Sequence, residues 1–160
     1  MEKYVQKANA EIIKALSKGD DVVLTKVDKL YVVTIRPFAV GHILTEEQVF
    51  FAVDKVKYND KLAGLFAELL NLEKTMTAEN RISATGNCYS PPFGRFYLMK
   101  ELRGENHSVW IDSSFVKDIE PWCAYYQESK QTAKTNREVS PILAVVDGIP
   151  ARIILPVRKP

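Results

Sequence analysis

Apolar and polar positions recur with a helical period in the first segment of the chain, from Glu2 to Lys18. At about 100° per residue, the apolar side chains fall on one side and the lysines gather on the opposite side. The apolar set is Val5, Ala8, Ile12, Ala15 and Leu16, and the lysines are Lys3, Lys7, Lys14 and Lys18. Gly19 follows, and glycine tolerates the left-handed backbone at which helices often end. The pattern predicts an N-terminal amphipathic helix.

Two runs rich in β-branched residues come next, at 22–27 and 30–35. Branching at Cβ stiffens a side chain and favours a pleated strand. The polar link Asp28-Lys29 between the runs predicts a tight β-hairpin. Pro37 ends the second strand because proline has no backbone donor for the sheet.

A capping-box pattern and two helical apolar patterns follow the hairpin. The segment 45–48 reads Thr-Glu-Glu-Gln, in which the first and last side chains bond each other's backbone at a helix start. Apolar residues at helical spacing then predict a helix over 46–57. A second broad apolar face begins after Asn59-Asp60 and consists of Leu62, Leu65, Phe66, Leu69, Leu70 and Leu72. Because the link is so short, we expect an antiparallel helix pair that covers one face of the sheet.

The pattern returns to short strands from Arg81 onward. Three strands are predicted, at 82–88, 95–102 and 108–111, and a final hairpin at 142–146 and 153–155 turns at Asp147-Gly148. Ser113 and Ser114 are typical caps for a short helical turn, and Pro121 is typical of the first turn of a helix. The polar stretch 128–138 has almost nothing to bury, so we expect an exposed helix end or a mobile loop.

These elements predict a single α+β domain over 1–160, with an α/β half at 1–80 and a β-rich half at 81–160. The strand pattern of the β-rich half is compatible with a small barrel-like sheet. A chain of 160 residues with 46% hydrophobic and 26% charged residues can bury a core of this size. No apolar run approaches the roughly 20 residues that a membrane helix needs, so no membrane contact is expected.

Charge and cysteine content exclude several function classes. The net charge of +2 lies far from the balance of a dedicated nucleic-acid binder. Two cysteines form neither a multi-bridge scaffold nor a four-thiolate zinc site, and the start lacks a secretory pattern, so we expect a cytoplasmic protein. The glycines match no phosphate-binding loop, and the two histidines lack nearby ligand partners. We therefore expect no metal and no cofactor.

A cysteine-dependent hydrolase is the least weak enzymatic interpretation. Cys88 or Cys123 would act as nucleophile, with His107 as its base and Asp112 orienting the imidazole. A structural role outweighs this one, because Cys88 lies in a strand pattern and Cys123 lies among aromatic residues, where a free thiol is usually a small buried hydrophobe. The protein is thus expected not to be an enzyme.

Aromatic residues are dense between 89 and 126, and they form the candidate binding surface. Neighbouring positions of a strand face opposite sides, so one core cannot bury every ring of this segment. Trp and Tyr also carry much of the energy of protein interfaces. The candidate residues are Tyr89, Phe93, Trp110, Phe115, Trp122, Tyr125 and Tyr126. The competing interpretation is that these rings fill the core of the β-rich half, and exposed rings would equally suit a homodimer face.

Basic residues supply the alternative of a nucleic-acid-binding protein. Phosphate contacts would come from Lys3, Lys7, Lys14 and Lys18 on the helix and from Lys130, Lys134 and Arg137 in the polar stretch, followed by Arg152, Arg158 and Lys159 near the end. A lysine-rich outer face is also what a solvated helix shows, and basic loops often serve only solubility.

The segment 82–119 resembles the closing half of a Src-homology-type small β-barrel, in its bacterial version. The residues that carry the resemblance are Trp110, Ile111, Ser113, Ser114, Phe115 and Val116, which follow an aromatic-led strand and a hairpin. Asp112 stands where eukaryotic members have proline. Because such barrels bind peptides or cell-wall fragments through exposed aromatics, the resemblance implies a binding role for Tyr89, Phe93, Trp110 and Phe115.

The sequence as a whole favours non-enzymatic recognition of a protein partner inside the cell. An adaptor fits this description, and so does an inhibitor that a mobile element encodes to block a host enzyme. The nucleic-acid binder and the cysteine hydrolase remain the alternatives.

Overall fold

The computed structural model describes residues 2–91, 98–105, 107–128 and 140–157. The helices in these ranges are α1 (Lys3–Ser17), α2 (Ala63–Leu69) and α3 (Leu72–Thr75). The strands are β1 (Val22–Val27), β2 (Leu30–Ile35), β3 (Val40–Thr45), β4 (Lys57–Tyr58), β5 (Arg81–Tyr89), β6 (Met99–Arg103), β7 (Ser108–Asp112), β8 (Cys123–Tyr126), β9 (Ile142–Val146) and β10 (Ile149–Ile154). The α+β class and the N-terminal helix are confirmed.

One mixed sheet contains all of these strands, in the order β4-β1-β2-β3-β10-β9-β8-β5-β6-β7. Neighbouring strands are antiparallel except for β1 and β4, which run parallel. The predicted final hairpin is present as β9 and β10, and β10 joins the N-terminal strands by pairing with β3. The sheet is not closed into a barrel, although an isolated bridge links Trp110 of β7 to Val157.

Hydrophobic cores lie on both faces of the sheet. Val32 and Val33 are adjacent in β2 and are fully buried on opposite faces, as strand geometry requires. The face of Val33 packs against α1, whose Ile12 is fully buried there. The face of Val32 packs against Phe66 of α2.

The predicted helix over 46–57 is wrong, and with it the antiparallel helix pair. The chain instead makes two separate 3-10 turns, Glu46–Gln48 and Val53–Lys55. Part of the capping box does form, since the backbone N–H of Thr45 donates to Oε1 of Gln48 at 3.0 Å.

The side chain of Asn9 on α1 explains why no continuous helix forms over 46–57. Its amide donates to the carbonyl oxygen of Gln48 at 2.8 Å and accepts from the backbone N–H of Phe50 at 2.7 Å. A continuing helix would need both of these backbone groups for its own ladder. A tertiary contact has therefore replaced the local preference.

Two further predictions differ from the structure, and a third falls partly outside the described ranges. Pro121 does not start a helix, because β8 follows it and places Tyr125 and Tyr126 in the two opposite cores. The 3-10 turn Ser113–Phe115 is capped by Asp112 rather than by a serine. The strand predicted at 95–102 is present from Met99, and its first residues, like most of the stretch 128–138, lie outside the described ranges.

Candidate binding site at the fork between β5 and β8

Strands β5 and β8 pair over two residues and then diverge. Arg81 faces Tyr126 and Ile82 faces Tyr125, and no described pair follows. Beyond Ile82, β5 continues to Tyr89 with β6 as its neighbour on one side. Every residue from Ser83 to Cys88 is exposed. We call the divergence the fork and the residues 83–88 the β5 edge.

A bulge shapes the β5 edge. The register between β5 and β6 shifts between Ala84 and Cys88, and Gly86 has a φ of 88°, a left-handed value that favours glycine. The hydroxyl of Thr85 and the side-chain amide of Asn87 donate to Oε1 of Glu101 at 2.7 and 3.1 Å. The edge is thus fixed to β6 by side chains as well as by backbone.

Glu101 is the acceptor on which this arrangement depends. The hydrogen bond from Thr85 lowers the pKa of Glu101, and the bond from Asn87 and the charge of Arg103 lower it further against the opposing effect of burial. Arg103 donates to the same oxygen at 3.1 Å. The buried side chain is therefore a carboxylate at neutral pH, with three donors converging on one oxygen.

A cleft of about 520 Å³ opens at the far end of the β5 edge. It is lined by Cys88, Leu98, Lys100, Ser113, Ser114, Lys117 and Glu120. One wall is the end of the β5–β6 pair, where Cys88 faces Lys100, and the other wall is the segment 113–120. The Lys100 ammonium donates to both carboxylate oxygens of Glu120, and the Tyr125 hydroxyl donates to Oε2 of Glu120 at 2.8 Å.

The segment 113–120 is held in place by Arg152, a residue that is only 2% exposed. Its guanidinium donates to the carbonyl oxygen of Phe115 at 2.7 Å and to both carboxylate oxygens of Asp118 at 2.5 Å. Burial alone would raise the pKa of Asp118, but the hydrogen bonds and charge of Arg152 outweigh it, so the pKa is lowered. Arg152 therefore positions one wall of the cleft.

Charged groups from α1 and β3 surround the Arg152–Asp118 pair and form a cluster with it. Nε2 of His42, which faces Arg152 in the register, lies 2.9 Å from Oε2 of Glu11. The Lys7 ammonium lies 3.6 Å from Asp118 and 4.0 Å from Glu11. Sequence reasoning missed the cluster because it grouped Arg152 with flexible basic residues. The available signal was a lone arginine inside the apolar run of the last strand.

The candidate aromatic residues divide between surface and core. Trp122, on the β8 arm of the fork, is 72% exposed. Tyr89 at the end of β5 is half-buried and meets the ring of Trp110 edge-on, with ring centroids 4.9 Å apart. Trp110 is itself buried.

The remaining aromatic candidates face inward. Tyr125 and Tyr126 are buried in opposite cores, and Phe115 is half-buried against the core below α1. Phe93 lies outside the described ranges. The structure thus brings Tyr89 and Trp110 together, exposes Trp122, and uses both tyrosines of β8 as core.

The proposed catalytic triad is not assembled. His107 lies at the start of β7, where its Nε2 is 2.8 Å from Oε1 of Gln127. Asp112 lies at the other end of the same strand and caps the backbone of Ser114. Cys88 also lies away from His107. It pairs with Lys100 near the start of β6, whereas Ser108, the residue after His107, pairs with Arg103 at the end of β6.

The second candidate thiol is not activated. Cys123 is half-buried, and burial is the main reason that its pKa is raised. Burial likewise raises the pKa of Tyr125, whose hydroxyl bonds Glu120. A raised thiol pKa leaves less of the nucleophilic thiolate at neutral pH.

The lysine stripe of α1 is interrupted by ion pairing. Lys3, Lys14 and Lys18 are exposed, whereas Lys7 is half-buried and paired with Asp118 and Glu11. The candidates Lys130, Lys134, Arg137, Arg158 and Lys159 lie outside the described ranges. Arg152 is buried and ion-paired with Asp118, so it is not available to a phosphate.

Within residues 2–91, 98–105, 107–128 and 140–157, no three His, Cys, Asp or Glu side chains are grouped as metal ligands. None of the helices described there has the length and apolar character required to cross a bilayer. Comparison of the chain with models of protein families, with curated proteins and with solved structures gives no match.

Proposed function

We propose that this protein is a non-enzymatic binding protein that adds an extended segment of a partner protein to its sheet at the β5 edge. The observation that carries the proposal is the exposure of every residue from Ser83 to Cys88 beyond the point where β8 departs. A strand without a neighbour presents a row of backbone donors and acceptors that another strand can pair with. Backbone pairing of this kind supplies affinity in many peptide-binding domains.

The side chains of the β5 edge suit a close approach of a second backbone. Ser83, Ala84 and Gly86 are small, and the bonds from Thr85 and Asn87 to Glu101 fix the edge before a partner arrives. An edge that is already ordered loses less conformational entropy when it binds.

Trp122 supplies the apolar contact that backbone pairing lacks. It lies on the other arm of the fork, and its largely exposed indole offers a large rigid surface beside the opening. Tryptophan is among the residues that most often dominate interface energies. The likeness of 82–119 to the closing half of a Src-homology-type barrel also favours a peptide ligand. An adaptor and an inhibitor encoded by a mobile element would both use such an edge.

A peptide selection tests this proposal. The purified protein is panned against a library of random peptides displayed on phage, and the selected peptides are synthesised and their Kd values measured. We expect Trp122→Ala to weaken these peptides by at least tenfold, the effect of a typical hot-spot residue. When a selected peptide is added, changes in the protein's amide NMR signals should be confined to residues 83–88 and to Trp122 and the start of β8.

Tyr58→Ala is the matched control, since Tyr58 is another largely exposed aromatic residue, 62% exposed, and lies at the opposite edge strand β4. It should leave the peptide Kd values unchanged. Failure of the selection to yield any peptide, or equal effects of the two variants, would overturn the proposal.

A second candidate function rests on the three exposed lysines of α1. We propose nucleic-acid binding through Lys3, Lys14 and Lys18 as the alternative, because a row of exposed ammonium groups on one helix face, with no ion pair to any described residue, suits a phosphate backbone. Retention on a DNA or RNA column should then fall steeply with salt and disappear when the three lysines become glutamine. Absence of retention at low salt removes this alternative.

A further inference from the structure

Three side chains that line the cleft beside the β5 edge can each donate a further hydrogen bond. The ammonium of Lys100 has three N–H donors, and the described contacts of this group are to the two oxygens of Glu120. Lys117 is exposed and has no ion pair with any described residue. The hydroxyl of Ser113 likewise has no hydrogen-bond partner in the described part of the chain. Three donor groups of one cleft are therefore available.

The acidic groups near the cleft are already engaged. Glu120 receives Lys100 on both oxygens and the hydroxyl of Tyr125 on one of them. Asp112 accepts the backbone N–H and the hydroxyl of Ser114 at 2.9 and 2.7 Å. The charge of Glu120 is compensated by Lys100, so Lys117 remains as the uncompensated charge of the cleft lining.

We infer that this cleft is a carboxylate-binding subsite, which receives an Asp or Glu side chain of the segment that docks on the β5 edge. The inference rests on the proposed function for the source of that side chain. Lys117 pairs with the incoming carboxylate, and the third N–H of Lys100 and the hydroxyl of Ser113 donate further hydrogen bonds. Because Cys88 belongs to both the β5 edge and the cleft lining, a segment paired with this edge runs directly to the mouth of the cleft.

The charge of Lys117 gives the subsite its selectivity. Glu120 neutralises Lys100 in the same lining, so the lining carries the net positive charge of Lys117, and a carboxylate that reaches Lys117 accepts a charge-assisted hydrogen bond. A neutral or cationic side chain at the same place would leave the donors unpaired or add repulsion. The cleft therefore distinguishes partners by charge, whereas backbone pairing at the β5 edge does not.

Disulfide exchange at Cys88 measures this preference without any partner protein. In a Cys123→Ala background, the protein is equilibrated with a redox buffer that contains both the thiol and the symmetrical disulfide of one of three probes, namely 3-mercaptopropionate (anionic), 2-mercaptoethanol (neutral) and cysteamine (cationic). The Cys88 thiolate attacks the probe disulfide, so one probe sulfur becomes bonded to Cys88 and the other leaves as the free thiol. Mass spectrometry gives the fraction of mixed disulfide formed with each probe. We expect the ratio of anionic to cationic adduct to fall by at least about fivefold in Lys117→Gln.

Lys29→Gln is the matched control, since Lys29 is an exposed lysine in the β1–β2 turn and the change in net charge is the same. Its adduct ratio should equal that of the parent. An equal ratio in Lys117→Gln and the parent, or an equal fall in both variants, would overturn the subsite.

A peptide arm separates the failure of this inference from the failure of the proposed function. In a peptide selected on the protein, replacing an acidic residue by its amide should weaken binding to the parent but not to Lys117→Gln. Peptides that bind the β5 edge with no such dependence retain the proposed function and refute the subsite. If Cys88 prefers the anionic probe but the protein selects no peptide, the proposed function is refuted and the anion preference of the cleft is retained.

Discussion

Removal of the Asp118 carboxylate should strongly destabilise this protein. Asp118→Ala leaves the guanidinium of Arg152 buried with one carbonyl acceptor, that of Phe115, in place of an ion pair. The buried Nε of Arg152 already has no hydrogen-bond partner among the described residues. The variant would therefore contain a buried guanidinium that has lost its ion-pair partner.

The expected loss of unfolding free energy is about 3 kcal/mol, the lower end of what breaking a buried ion pair costs. The lower end applies because the Asp118 side chain is 16% exposed, so water can reach the position that the carboxylate leaves. Arg152, at 2% exposure, has no comparable access. Replacing both partners with apolar residues, as in Arg152→Met with Asp118→Leu, should recover much of the loss because it removes the buried charge itself.

Urea unfolding followed by tryptophan fluorescence measures these differences, since Trp110 is buried and Trp122 is exposed in the native state. Asp21→Ala is the control, because Asp21 also holds an ion pair, with Lys57 at 2.8 Å, but the lysine is largely exposed. Exposed pairs contribute little. The reasoning is refuted if the two variants lose similar free energies, or if the double replacement is less stable than Asp118→Ala.

Three more predictions concern stability. The hydrogen bond from His42 lowers the pKa of Glu11 from its ordinary 4.5, and the bonds of Arg152 lower that of Asp118 from 3.8 against its burial, so both groups bind more protons when unfolded. The stability that these two groups contribute is then fully present above about pH 5 and is lost as pH falls through their lowered pKa values, and urea midpoints measured from pH 5 downward should fall less in Glu11→Gln. Asn9→Ala should cost about 1–3 kcal/mol, since it leaves two backbone groups near α1 without partners, whereas the exposed Ser17→Ala should cost little in the same assay. Phe66→Ala should cost about 3–5 kcal/mol by opening a cavity in the core below α2. A loss no greater than that of Leu65→Ala, whose neighbouring side chain is 40% exposed, would contradict the assignment of that core.

The elements that sequence reasoning predicted well are those specified by neighbouring residues. The amphipathic period of α1 and the turns of the two hairpins need no information from elsewhere in the chain. Asp28 and Asp147 have φ values of 53° and 51°, which short polar residues tolerate in tight turns. The helix expected at 46–57 failed because Asn9, far away in sequence, binds the backbone that the helix would have used.

The candidate site could not be predicted because it depends on where two distant strands separate. Ile82 and Tyr125 end their pairing at a point that no local pattern marks. The density of aromatic residues did indicate a region of interest, but exposure of Trp122 and burial of Tyr125 follow from tertiary packing. Arg152 was recognisable only as an anomaly in an apolar strand.

The placement of β10 between β3 and β9 has a consequence for synthesis on the ribosome. The β1–β3 meander emerges long before β10, and its inner edge at β3 has no neighbour until Arg152, Ile153 and Ile154 leave the exit tunnel. The nascent chain therefore carries an unfinished sheet until β10 has emerged, and a stop codon shortly before β10 would leave β3 and β9 without their shared neighbour. Such a truncated product is a natural target for chaperones and proteases.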